Sequence, residues 1–115
     1  MSRLSANKLA ARGLALIPLF AALGDPTRLS LVTRLCNGQP YSIAQLTEDT
    51  ALTRQAVTKH LRVLEDAGIV HSTRVGRESR YAFNAAALEQ VRAYLDLVSQ
   101  QWDHALERLR RFVED

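Results

Sequence analysis

At 115 residues, with 47% hydrophobic and 23% charged residues, the chain has the size and composition of one globular domain, which excludes disordered and fibrous classes. Its apolar run LALIPLFAAL is divided by Pro18 and falls short of the roughly 20 residues that span a bilayer, so no membrane segment is expected, and without a cleavage pattern no secretory leader. A net charge of +3 is mild, and the single Cys36 precludes an intramolecular disulfide; both fit the cytoplasm.

The first helix is expected from about Ser5 to Leu16, where Leu9, Ala10, Gly13, Leu14 and Ile17 form an apolar stripe. Pro18, in a first turn, suits a second short helix through Leu23. Gly24-Asp25-Pro26 breaks the pattern. Asp25 can then cap, and Pro26 start, a helix through Cys36 whose Leu29, Val32, Leu35 and Cys36 lie on one side, with Cys36 read as a small core residue. Asn37-Gly38-Gln39-Pro40 ends it by turn chemistry. Ser42 caps a short helix around Ile43 to Thr50, with Ile43, Ala44 and Leu46 facing inward.

After the turn Ala51-Leu52-Thr53 comes LTRQAVTKHLRVLEDAGIVHSTRVGRESRYAF, the segment from Leu52 to Phe83. Thr53 caps a helix on which Val57, Leu61 and Leu64 share one face, and Arg54, Gln55, Thr58, Lys59 and Arg62 share the other. Gly68 stops it. Ile69-Val70 then begins an extended run that returns through Gly76 to Tyr81 and Phe83, with a basic tip from Arg74 to Arg80. From Arg54 to Arg80 there are six Arg or Lys against three acids, whereas Tyr81 to Asp115 has four against six. The excess cation therefore sits on a helix followed by a hairpin, which favours a polyanion partner.

The final helix should run from about Ala85 to Val113, with Leu88, Val91, Tyr94, Leu95, Val98, Trp102, Leu106, Leu109 and Val113 spaced by threes and fours. At about 1.5 Å rise per residue it would reach some 40 Å and outrun a small core, so part of its stripe needs a second copy of the chain. The expected dimer residues are Leu9, Leu14, Leu95, Val98, Trp102, Leu106 and Leu109, and the aromatic positions Tyr94, Trp102 and Phe112 are read as core or interface. The whole chain, 1–115, is one domain in this reading. Its reading part spans about 42–84, and its dimerisation helices about 5–23 and 85–113.

The class is thus mainly α with five to six helices and a small antiparallel β-hairpin wing, a winged helix-turn-helix whose second helix enters the major groove. LGDPTRLSLVTRL, AVTKHLRVLEDAGIV and VGRESRYAF, three motifs in order across about Leu16 to Asn84, resemble the ArsR/SmtB family of bacterial transcriptional repressors. The resemblance implies a homodimer that binds imperfect inverted repeats in double-stranded DNA and releases them when an inducer binds. It also implies Thr58 and Lys59 as the groove-reading pair. Gln55 and Thr58 carry directional groups suited to base edges, and Arg54 and Lys59 can reach guanine or phosphate. For Arg62, phosphate or solvent is the expected surrounding. His60 is open between the groove edge and packing beside Leu64 with its nitrogens satisfied. Arg77, next to Gly76, is expected to contact backbone or minor groove, with Arg74 and Arg80 positioning the wing.

The family's thiolate metal site needs a cysteine pair where this chain has SIAQLTED, so that site is absent. For a final-helix site the available residues are Asp96, Asp103, His104 and Glu107, with fewer histidines than the family pattern wants. A surface pair of His104 and Glu107 is the preferred reading. QWDHALERL also resembles a subgroup without recognised metal sites, so neither metal nor cofactor is expected. No phosphate loop or catalytic triad is present, and nothing positions Ser42, His60 or His71 for catalysis, so an enzyme is not expected. A protein-contact winged helix would want an apolar or acidic recognition face, whereas this one is polar and basic. Repression and activation are not distinguished by the residues themselves.

Overall fold

The helix after the Gly24-Asp25-Pro26 break begins where local chemistry dictates: Asp25, in extended conformation, accepts from the Arg28 backbone N–H at 3.0 Å, and Pro26 supplies the first helical position. The computed structural model describes residues 2–114, with side chains from residue 7 onward. Along them run α1 (Ser2–Ala15), α2 (Ile17–Leu23), α3 (Pro26–Leu35), β1 (Tyr41–Ser42), α4 (Ile43–Glu48), α5 (Arg54–Asp66), β2 (Val70–Val75), β3 (Glu78–Phe83) and α6 (Ala85–Glu114). The chain divides into two compact units, Met1–Leu16 with Glu89–Asp115, and Ile17–Leu88. The short helix at 17–23, grouped by the sequence with the dimerisation helices, falls in the second unit.

In that second unit, α5 is closed at both ends. Thr53 Oγ1 accepts from the Ala56 N–H at 3.1 Å. Gly68 takes φ +82°, and the N–H groups of Gly68 and Ile69 return to the carbonyls of Glu65 and Leu64, both at 2.9 Å. This paired return is a Schellman motif, which needs a left-handed residue where Gly68 stands. Buried Ile69 and Leu64 bracket it and turn the chain into β2.

The sheet has three strands in the order β1-β3-β2, so the hairpin expected from the sequence gains a third member. Tyr41 pairs with Tyr81 and Ser42 with Arg80, while β2 and β3 pair from Val70↔Phe83 to Val75↔Glu78. Gly76 has φ +63° at the first position of the two-residue loop, the backbone that a type II′ hairpin asks for there.

Leu31, Leu35, Leu46, Val57, Leu61 and Leu64 are fully buried, joining α3, α4 and α5 around one apolar centre. Each such side chain stabilises the fold by roughly 1.5 to 3 kcal/mol through area removed from water. The inward stripe of α3 is Leu31, Val32 and Leu35; Leu29 is 52% exposed, against expectation. Cys36 is likewise exposed rather than a core residue. The helix stops at Leu35, and Cys36 becomes its C-cap, beyond the elements that would cover it. In α4 only Leu46 is buried; Ile43 and Ala44 are half-buried, because a six-residue helix carries one turn to the core and leaves its first turn beside α5.

In the first unit, Gly13 of α1 meets Tyr94 of α6 so closely that a Cβ there would stand 2.9 Å from the tyrosine hydroxyl. Leu14, Leu95, Trp102, Leu106, Leu109, Phe112 and Val113 are exposed, Trp102 at 65% and Phe112 at 82%. None of the helices formed by the described residues is long and apolar enough to cross a membrane.

Candidate nucleic-acid interface

The helix pair that presents the basic face is locked at its entry. Ser42 Oγ accepts from the Gln45 N–H at 3.1 Å, and Gln45 Oε1 accepts from the Ser42 N–H at 2.8 Å, a reciprocal capping box. The far end of α4 is held by Arg34 of α3, which donates to the carbonyls of Leu46 and Gln45 at 2.9 and 3.2 Å. The same guanidinium lies 5.8 Å from the centre of the Tyr41 ring and 3.7 Å from Asp49. Sequence reasoning overlooked Arg34 as a strut, since its partners are backbone carbonyls that no side-chain pattern announces. In the turn, Thr50 Oγ1 donates to the Thr47 carbonyl at 2.9 Å and accepts from the Leu52 N–H at 3.2 Å.

On α5, burial of Val57, Leu61 and Leu64 fixes which side looks outward. Arg54, Gln55, Lys59 and Arg62 are exposed on that side, and Thr53 caps its start. Among the described residues none of these four side chains is held in an ion pair or side-chain hydrogen bond. Their cations are therefore available to phosphate. Thr58 differs: it is half-buried, and its hydroxyl donates to the Arg54 carbonyl at 2.7 Å. With its proton on the helix's own backbone, Thr58 offers lone pairs and a methyl rather than a donor.

His60 faces α3. Its Nδ1 lies 3.4 Å from Arg28 Nη1 and 3.8 Å from Asp25 Oδ2, while Arg28 Nε donates to the Ala22 carbonyl at 2.6 Å. The ring thus belongs to a small polar cluster joining α2, α3 and α5, a packed position with Nδ1 beside polar partners that the sequence pattern did not name. The Arg28 N–H holds the Asp25 carboxyl below its usual range, and the Arg28 and His60 side chains act in the same direction.

The wing's three arginines do not share a face. In an antiparallel ladder, paired residues project to the same side, so Arg74 lies with Ser79 and Tyr81 and Arg80 with Thr73 and Glu78, on opposite sides of the hairpin. Arg80 is engaged by Glu78 at 3.3 Å. Arg77 occupies the loop apex, exposed. At the sheet's root, burial pushes the Tyr81 phenol up, with Glu65 adding to the shift. Glu65 in turn accepts from Ser72 Oγ at 2.7 Å, tying β2 to α5.

Along α6 and α1 the expected dimer residues divide by exposure: Leu14, Leu95, Trp102, Leu106 and Leu109 are exposed, Leu9 and Val98 half-buried. Glu107 pairs with Arg110 at 2.7 Å and Arg111 at 3.6 Å, not with His104 as the sequence suggested, because two guanidiniums lie within one turn. The described residues of one chain gather no group of three or more His, Cys, Asp or Glu that could hold a metal ion.

Residues 25–72, covering α3 through the start of the wing, match the family model described as "Bacterial regulatory protein, arsR family". The chain is 39% identical over 79 residues to the uncharacterized HTH-type transcriptional regulator YuzN of Bacillus subtilis, a stretch covering 64% of this chain and 86% of that one. It is 32% identical over 93 residues to the HTH-type transcriptional regulator Rv2034 of Mycobacterium tuberculosis, covering 81% and 83%. Among solved structures, it is similar to an ArsR-like transcriptional regulator from Rhodococcus sp. RHA1, with a TM-score of 0.75 at 35% identity, covering 86% of this chain and 92% of that one.

Proposed function

The chain belongs to the ArsR family of bacterial regulatory proteins, DNA-binding transcriptional regulators rather than enzymes, and from that premise we propose that it is a homodimeric repressor. It acts at a pseudo-palindromic operator and is released by a signal other than a metal. The observation that carries this reading is the division of α5: an inner face sunk in the core and an outer face of Arg54, Gln55, Lys59 and Arg62 whose side chains make no ion pair or side-chain hydrogen bond among the described residues. Such a helix is rigidly mounted and electrostatically unfinished, which suits entry into the major groove.

The apolar stripe of α6, with Leu95, Trp102, Leu106 and Leu109 exposed, supports a second copy of the chain as its cover. A two-fold dimer that reads an inverted repeat engages half-sites about 34 Å apart, one helical turn of duplex, with one copy of α5 at each. Arg54, Lys59 and Arg62 supply much of the affinity through phosphate, and Gln55 and Lys59 supply base preference.

Selection of bound duplexes from a random library tests the reading. An inverted repeat with half-sites one turn apart is the expected product, and enrichment of no sequence would overturn it. Zinc added to the selected complex leaves affinity unchanged if the signal is not a metal; stoichiometric zinc binding coupled to release would assign that role to a final-helix site.

A further inference from the structure

Between the outward face of α5 and the first turn of α4 lies a hollow whose half-buried members are two apolar side chains and a threonine. Ile43 and Ala44, from the first turn of α4, line it together with Thr58, and the exposed side chains of Arg54, Gln55, Lys59 and Arg62 complete its wall. The Thr58 hydroxyl proton is directed at the Arg54 carbonyl at 2.7 Å, so it offers no donor to a polar base edge. Cations around the wall draw in a phosphate backbone, which brings the groove floor to the hollow. Of the groups that line a major groove, one is apolar and of methyl size: the C5-methyl of thymine.

We propose that this hollow seats a thymine methyl, which makes Ile43, Ala44 and the Thr58 methyl specificity residues. The inference rests on the DNA-reading role given above to α5. It assigns part of the sequence readout to α4, through residues the sequence pattern had turned toward the core. Thr58 then distinguishes thymine from cytosine by shape, while Gln55 and Lys59 use hydrogen bonds.

The test uses the full chain and the duplex recovered by selection, with each thymine replaced in turn by deoxyuridine, which deletes the methyl and keeps the base pair. One thymine in each half-site should be sensitive. Its replacement should weaken binding about fourfold, the factor that corresponds to about 0.8 kcal/mol for one buried methyl. Thr58→Ser, which keeps the hydroxyl and removes the methyl, should shrink that penalty below about twofold, and Thr58→Val, which keeps the methyl, should preserve it. Thermal midpoints and nonspecific binding of both variants report that the fold is intact. If the duplex is bound with sequence preference but no thymine is sensitive to demethylation, the proposal fails and the DNA-reading role stands. Loss of preference in Thr58→Val with retention in Thr58→Ser would also overturn it, by making the hydroxyl the reader. Absence of preference for any duplex removes both.

Discussion

Arg28 Nη1 and His60 Nδ1 stand 3.4 Å apart, which fastens the midpoint of α5 to the start of α3. Where Nδ1 carries no proton it accepts from the guanidinium, and where it carries one it faces the Asp25 carboxylate at 3.8 Å. His60→Ala should therefore lower stability by about 0.5 to 1.5 kcal/mol in denaturant unfolding. Its binding should keep the same order of preference among selected duplexes. A change in preferred base at one position, with stability untouched, would return His60 to the groove.

Lys59 and Arg77 should separate into two classes of contact. Lys59→Ala is expected to cost about 1 to 3 kcal/mol at the selected site and less on random duplex. Arg77→Ala, at the exposed apex of the wing, should weaken all duplexes alike and reduce the slope of log affinity against log salt by about one. Fluorescence anisotropy titrations at four salt concentrations resolve the two. An unchanged slope in Arg77→Ala means that the wing apex stays clear of the phosphates.

The depressed Asp25 carboxyl carries a pH signature. A group held below its unfolded pKa contributes stability that is present above that value and lost as the pH falls through the folded one. Asp25→Asn keeps an acceptor for the Arg28 N–H but has no charge to lose. Its thermal midpoint should lie below that of the parent protein at neutral pH, and the two should converge below about pH 4. A constant gap down to pH 2.5 would mean that the charge is irrelevant and the cap alone matters.

The exposed stripe of α6 should fail as a unit. Trp102→Lys combined with Leu106→Glu is expected to give monomers by sedimentation at micromolar concentration while helix content by circular dichroism stays constant. Operator affinity should drop about a hundredfold or more, since the second half-site is no longer held near the first. A dimer that survives both charges would place the interface elsewhere.

Elements whose ends are set by neighbours in sequence were legible from it. Asp25, Ser42, Thr53 and Gly68 each bond within a few residues of themselves, and the helices they delimit were anticipated closely. β1 was not: its two residues pair with Tyr81 and Arg80 about forty positions away, and a two-residue strand carries no periodicity. Ile43 and Ala44 read as inward because apolar residues usually are, but the length of α4 put them beside the outer face of α5 instead. The Thr58 hydroxyl, the partners of His60 and the opposed faces of Arg74 and Arg80 all depend on geometry that composition does not encode. Hence the helix with its buried stripe and basic outer face was visible in advance, whereas the bonds its side chains make were not.

Ser42 is both the last residue of β1 and the N-cap of α4, and it lies opposite Arg80 in the sheet. One residue is therefore a joint shared by the wing and the helix-turn-helix, and the wing's third strand cannot slide along β3 without pulling the first turn of α4 off its cap.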